Sequence, residues 1–244
     1  MITIQHISKR FGKLQVLDNV SLTLNGGQCV ALIGPNGSGK TTLIKAILGM
    51  VVPQSGALLF KGNPVRQQWE YRRDIGYMPQ IGRYPENMTI GQVLDMMKDI
   101  RKVPEAALDR DLFDVFELDK MLDKRMGTLS GGTRQKVSAC LAFMFKPEVL
   151  ILDEPTAGLD PVSTELLKDK ILAEKNNNRL IIITSHVLSD LDDLATEVIY
   201  MQEGRPLFHK PLEVLKEETG TDRLAKAIAR IMAKQGMKKG VTTV

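Results

Sequence analysis

At 244 residues with 43% hydrophobic content, the chain is long enough for one large domain, or for a core carrying a small insert, with ample apolar surface to bury. No apolar run approaches the roughly 18 residues of a membrane span; aromatics make up only 5%, and no basic run is interleaved with them, which excludes a nucleic-acid stripe. The net charge of +4 lies wholly in the last 44 residues, nine basic and five acidic, so a solvated basic face is expected there, with attraction to an acidic membrane surface as the alternative.

The opening MITIQHISKRF alternates and lacks the apolar stretch of a secretion signal, so a cytoplasmic chain is expected, with any membrane role left to a separate partner. ITIQHI reads as a strand. Phe11 falls in a turn, SKRFGK, where it is either satellite core or a face on which an adenine could stack. VSLTL and CVALIG, separated by NGGQ, predict a hairpin with an Asn-Gly turn.

The chemistry begins at GPNGSGKT, residues 34–41, which matches G-x-x-x-x-G-K-[ST] between an apolar strand and a helix. Gly34, Pro35, Asn36, Gly37, Ser38 and Gly39 form a loop whose N–H groups can curl round phosphate oxygens, with glycines where the backbone must approach closely. Lys40, Thr41 and Thr42 open the helix, whose N-terminus adds roughly half a positive charge. Lys40 would reach the β- and γ-phosphates, and the Thr41 hydroxyl would ligate Mg2+. The helix KTTLIKAILG closes at Gly49.

SGALLFKG and DIGYMPQ read as short strands, with Gln80 at the end of the second, where it could sense Mg2+ or an attacking water. TIGQVLDMMKDIRK, PEAALDRDLFDVFEL and SGGTRQKVSACLAFMF read as three helices, so residues 83–142 are expected to be a helical subdomain inserted between sheet segments. VLILD and LIIIT are continuously apolar, the pattern of strands buried on both faces of a parallel sheet. VLILDE places Asp153 at a strand's carboxyl end, where open α/β sheets gather ligands. Asp153 can hold the metal shell and Glu154 can orient or deprotonate water, although two acids before Pro155 also suit a helix cap. His186, after LIIITS, is either structural or placed to touch a γ-phosphate. PVSTELLKDKILAEK and VLSDLDDLA read as helices, and EVIYMQEGR as a strand and turn. TDRLAKAIARIM puts Leu224, Ile228 and Ile231 on one face of a terminal helix, with Thr221 as N-cap. Cys29 and Cys140 sit in apolar runs without ligand-spaced neighbours, and the twelve methionines are scattered, so both are expected to be core.

A second glycine motif, LSGG at 129–132, opens another helix, and an anion must be found for it. GPNGSGKT, MPQ, LSGG, LILDEP, AGLD and ITSH occur in that order, and over residues 1–215 the chain resembles the ATP-binding cassette of ABC transporters. The resemblance implies a P-loop NTPase α/β core with a mostly parallel sheet, a small N-terminal antiparallel β subdomain and the inserted helical subdomain, followed by a variable C-terminal helix and basic tail at 216–244. It implies ATP hydrolysis with Mg2+ held by Thr41, Gln80 and Asp153, and a head-to-tail pair of identical chains. In that pair Ser130 and the amides of Gly131 and Gly132 grip the γ-phosphate of the partner's ATP, and Asp160 lies at the centre. It also implies adenine stacking for Phe11, a γ-phosphate contact for His186 and a switch role for Gln80.

A membrane permease is expected to dock beside the Gln80 loop, around Tyr84, Pro85 and Met88, and nucleic acid is not expected as a partner. The chain would thus sit at the inner face of the membrane. Thr133 departs from the family's glutamine and puts a contact to ribose or partner in doubt. The short single cassette looks like exporter subunits, and ILGMVVPQSG with IGYMPQIGRYPENMTIGQVLDMM is similar to cassettes of copper-processing systems that help mature nitrous-oxide reductase. A soluble ABC ATPase acting on ribosomes or DNA, or an ATP-dependent clamp, is the competing function. The single phosphate loop and the lack of a heptad array weigh against the first, and the presence of Glu154 and His186 against a cassette that only binds.

Overall fold

The computed structural model describes the backbone of residues 1–240 and the side chains of residues 1–233. In chain order the elements are β1 (Ile2–Phe11), β2 (Leu14–Leu24), β3 (Cys29–Ile33), α1 (Lys40–Ile47), β4 (Ser55–Phe60), β5 (Asn63–Pro64), β6 (Ile75–Met78), α2 (Ile90–Arg101), α3 (Asp111–Val115), α4 (Gly131–Phe143), β7 (Val149–Asp153), α5 (Pro161–Asn176), β8 (Leu180–Thr184), β9 (Glu197–Gln202), β10 (Arg205–Pro211), α6 (Leu212–Thr219) and α7 (Leu224–Gly240). A six-stranded sheet has the order β10-β9-β3-β8-β7-β6 and is parallel except for β10. A four-stranded sheet, β2-β1-β4-β5, is antiparallel. The chain is an α/β protein built on a mostly parallel sheet.

The uninterrupted apolar strands divide their side chains between two cores, because successive residues of a strand face opposite ways. Cys29, Ala31 and Ile33 of β3, with Leu150, Leu152, Ile181 and Ile183, pack with α2, α3, α4, α5, α6 and α7. Val30 and Leu32, with Val149, Ile151, Leu180 and Ile182, pack with α1 and the antiparallel sheet. Strands covered on both faces need no polar residues until they reach the sheet's end, so the first carboxylate of β7 falls at its carboxyl edge, Asp153.

Five local expectations are corrected. NGGQ does not close a hairpin: β2 pairs with β1, whereas β3 has β8 and β9 on its two edges, so the turn carries the chain from one sheet to the other. PEAALDRDLFDVFEL is not one helix but a 3₁₀ turn at Glu105–Ala107, the short α3 and a second 3₁₀ turn at Leu118–Met121. The break lies at Asp109, whose amide bonds the Met144 carbonyl at 2.8 Å and whose carboxylate accepts from the Asp111 amide and from Lys170. VLSDLDDLA forms only a 3₁₀ turn, Leu188–Leu191, because its acids are drawn outward: Asp190 accepts from the Thr156 hydroxyl and Asp192 from the Leu224 amide. That last contact also displaces Thr221 as N-cap of α7; its hydroxyl accepts from Arg223 instead. Phe11 ends β1 rather than lying in the following turn. Leu224 and Ile228 are buried, with Ile231 packed beside them, as the periodicity of α7 requires. The basic side chains of Lys234, Lys238 and Lys239 lie outside the described residues.

Candidate active site

The loop after β3 wraps tightly because its glycines are the only residues that fit. At Gly34, φ is 146° and a Cβ would lie 2.1 Å from the Met201 carbonyl oxygen; at Gly39, φ is 101° and a Cβ would lie 2.6 Å from the Val16 oxygen. Gly39 is the residue from which α1 starts, so the first amides of α1 face the same space as the loop. A cavity of about 210 Å³ opens there, lined by the loop from Asn36 to Thr42 and by Val16, Gln80, Asp153, Glu154, Thr184 and His186. Gln80, Asp153 and His186 come from the carboxyl ends of β6, β7 and β8, three neighbouring parallel strands. Residues separated by more than 140 positions thus meet because the sheet aligns their strand ends.

Lys40 donates to the Gly34 carbonyl at 2.7 Å and to the Pro35 carbonyl at 3.0 Å. Burial holds its ammonium below the ordinary lysine range, partly offset by Glu154 and Asp153. Asp153 is buried and pairs in register with Thr184 across β7 and β8, and the Thr184 hydroxyl donates to its Oδ1. The Glu154 amide in turn reaches both the Thr184 carbonyl at 3.1 Å and the Thr184 hydroxyl at 3.2 Å. Glu154 adopts φ 54°, a left-handed backbone that a glutamate takes at a cost. Its carboxylate accepts from the His186 amide at 3.1 Å, and His186 Nε2 lies 3.3 Å from the other oxygen. His186 is exposed whereas the Glu154 side chain is largely enclosed, so the pair forms a wall with one open side.

The second glycine motif lies elsewhere. Ser130 is the N-cap of α4: its hydroxyl accepts from the Thr133 amide at 3.2 Å and lies 2.9 Å from the Thr133 hydroxyl. Ser130 and Gly131 are exposed at the helix tip, and neither they nor Gly132 line the cavity. Thr133 therefore spends its hydroxyl on the neighbouring serine. Asp160 caps α5, accepting from the Ser163 amide at 2.9 Å and the Ser163 hydroxyl at 2.6 Å, with Lys136 at 3.1 Å. Those Ser163 bonds first, then Lys136, hold its carboxyl well below the usual range. Phe11 is half exposed and outside the cavity lining; the Lys9 ammonium lies 5.2 Å from its ring centre. Val16 and Thr184, which no motif marked, do line the cavity. The signal for Thr184 was its position at the end of an apolar strand, and for Val16 there was none.

Tyr84 and Met88 pack against the core beside the site, while Ile81 is exposed. An open groove along α2 is lined by Asn87, Met88, Gln92, Asp95, Met96, Asp99 and Ile100.

A parallel sheet whose strand ends converge on a glycine loop, a lysine and adjacent carboxylates defines a P-loop nucleotide-hydrolysing protein. Comparison with known proteins narrows this. Residues 17–157 match the family described as ABC transporter. The chain is 34% identical over 226 residues to the uncharacterized ABC transporter ATP-binding protein YhaQ of Bacillus subtilis, covering 90% of this chain and 74% of the relative. It is 30% identical over 226 residues to Nod factor export ATP-binding protein I of Burkholderia lata, covering 91% of this chain and 74% of the relative. A solved ATP-binding subunit of an ABC transporter superposes with a TM-score of 0.88 at 27% identity, covering 95% of this chain and 99% of that one. The chain belongs to the ABC transporter family, as an ATP-binding subunit with ATPase activity.

Proposed function

We propose that the chain works as one half of a head-to-tail pair of identical copies that closes on ATP and drives a separate membrane permease. The observation that carries this reading is the separation of the two anion-binding elements. Lys40, Thr41, Asp153, Glu154 and His186 share one cavity, whereas the exposed Ser130–Gly131 tip of α4 is no part of it. A helix tip with free amides is an anion site, and a second copy supplies the γ-phosphate that this chain's own cavity does not bring to it. Val162 beside Asp160 and Val187 beside His186 are exposed apolar side chains that such a copy would cover.

Within the cavity, Lys40 and the loop amides hold the β- and γ-phosphates, and Glu154 orients the water and takes its proton while His186 holds the carboxylate in place. The Thr41 hydroxyl, the Asp153 carboxylate and the Gln80 amide form an all-oxygen donor set, which suits Mg2+; among the described residues no group of three His, Cys, Asp or Glu side chains is arranged to hold a metal ion, so the cation would rely on phosphate oxygens for further ligands. Mg2+ when bound neutralises charge on the phosphates. Phe11, half exposed and outside the cavity lining, stacks on adenine.

We take residues 1–215 as the ATPase domain, with 83–142 as its helical subdomain, and 216–244 as a C-terminal segment of basic sequence that holds the end of α6 and all of α7. No helix among the described residues is long and apolar enough to cross a membrane. The permease therefore anchors the chain at the inner face of the membrane, docking along the α2 groove and the exposed Ile81. The likeness to an export protein supports export as the direction, and the sequence resemblance noted above supports copper processing as the setting. The alternative is a soluble ATP-dependent clamp. Substituting Glu154→Gln tests the reading: ATP turnover should fall by about 100-fold or more, and ultracentrifugation with MgATP should show a stable dimer. Unchanged turnover removes Glu154 from its role, and a persistent monomer removes the pairing. Recovery of the chain with a membrane protein, rather than alone, separates transporter from clamp.

A further inference from the structure

Within one chain, the helix bearing the serine–glycine tip is fastened to the segment bearing the proposed catalytic carboxylate. Gln135, five residues into α4 and only 5% exposed, donates from Nε2 to the Glu154 carbonyl at 3.3 Å. One residue on, the Lys136 ammonium lies 3.1 Å from Asp160. At the tip itself, Gly132 packs so closely on Gly158 that a Cβ would lie 2.7 Å from its carbonyl oxygen. Three consecutive points along the segment 154–160 are thus held by the first two turns of α4.

Glu154 is where this matters. A left-handed glutamate is stable only if its surroundings fix both sides of its peptide. Thr184 takes the N–H side, and the carbonyl is shared by the Ala157 amide at 3.1 Å and Gln135; of these two only Gln135 comes from α4, so it ties the aim of the Glu154 backbone, and with it the carboxylate, to that helix.

We propose that Gln135 is a positioning residue for Glu154 that makes the acid of one site depend on whether the same chain's α4 tip holds the partner's ATP. The inference rests on the head-to-tail reading above. A γ-phosphate gripped at Ser130 and Gly131 shifts or stiffens α4; Gln135 passes that change to the Glu154 carbonyl, and Lys136 and Gly132 pass it to Asp160 and Gly158. Each ATP, by binding at one site, sets the acid of the other, which is a coupling free energy between two distinct sites carried by a packed element.

The test uses mixed dimers of differently tagged copies, in which one copy carries Glu154→Gln so that a single acid remains. In the first arrangement Gln135→Leu is placed in the copy with intact Glu154; in the second it is placed in the Glu154→Gln copy, whose α4 tip serves the working site. The first should lose about tenfold in kcat with KM for ATP little changed, as expected when one positioning hydrogen bond is removed. The second should match the mixed dimer without Gln135→Leu. Loss confined to the second arrangement would mean that Gln135 only supports the tip's grip, equal loss in both would mean that it acts on the fold or the pairing as a whole, and no loss in the first would mean that it does not aim Glu154; each overturns the proposal. Gln135→Met, which preserves volume, is run in parallel, so that a folding defect peculiar to leucine is recognised by its melting curve. Failure of the head-to-tail reading shows separately, as Glu154→Gln chains that stay monomeric in MgATP.

Discussion

Asp153 and Glu154 are adjacent in sequence, yet one residue, Thr184, governs both. Its hydroxyl donates to the Asp153 carboxylate and accepts from the Glu154 amide, and it is 2% exposed, so water cannot replace it. Thr184→Val keeps the shape and removes both bonds. It should cost about 1–3 kcal/mol of stability, the penalty for a buried polar group left without its partner, read as a lower urea midpoint at unchanged slope, and it should lower ATPase activity; Thr184→Ser should restore most of both. Stability equal to wild type in the valine variant would show that the hydroxyl does nothing for the carboxylate. The sequence made Asp153 and Glu154 legible because an acid pair ending an apolar strand stands out against its neighbours. It marked Thr184 only by its place at the end of an apolar strand, which says nothing of its two bonds, and it hid Gln135, since a glutamine inside a helix carries no local mark. Only the register that sets Asp153 opposite Thr184, and the packing of α4 on the segment after β7, gives them a task.

Elements differ in how much of themselves they disclose. α2 was readable from its first residue because Thr89 and Gln92 form a reciprocal capping box: the Thr89 hydroxyl accepts from the Gln92 amide at 3.2 Å and the Gln92 side chain accepts from the Thr89 amide at 2.9 Å. β3, β7 and β8 were readable because a strand covered on both faces has no polar residues to confuse its pattern. The stretch 104–121 was not, because what breaks its helix is a distant lysine. Lys170 of α5, itself buried, lies 2.6 Å from Asp109, 2.7 Å from Asp111 and 3.0 Å from Glu174. Burial alone would lower its ammonium, but the surrounding carboxylates hold it above the ordinary lysine range. Asp109 and Glu174 are 9% and 7% exposed at their side chains, so removing the cation leaves Asp109 buried without a cation beside a Glu174 that keeps only Arg179. Lys170→Met should destabilise the chain by about 3 kcal/mol or more, seen as a fall in melting temperature that is partly recovered by adding Asp109→Asn. A melting temperature unchanged by Lys170→Met would show the cluster to be dispensable.

For the molecule as a whole, the alternating apolar strands place a core on each face of the parallel sheet while leaving its carboxyl edge polar. The groups proposed as catalytic therefore gather at the carboxyl rim of the sheet, and the α4 tip is carried on the layer of helices over one face. Such a division fits the head-to-tail pairing proposed above, since the glycine motifs at 34–41 and 129–132 do not meet in one chain. The same burial leaves an unplanned reporter. Both thiols lie inside the helix-covered core, at 0% and 3% exposure for Cys29 and Cys140, and burial pushes the Cys29 thiol up to about 12 and Cys140 still higher. A maleimide dye offered to the folded chain should find nothing to alkylate until that core itself opens, so dye uptake becomes a clock for global unfolding. Rapid labelling under native conditions would contradict that burial. Any cysteine introduced at the surface for spectroscopy would start from a silent background.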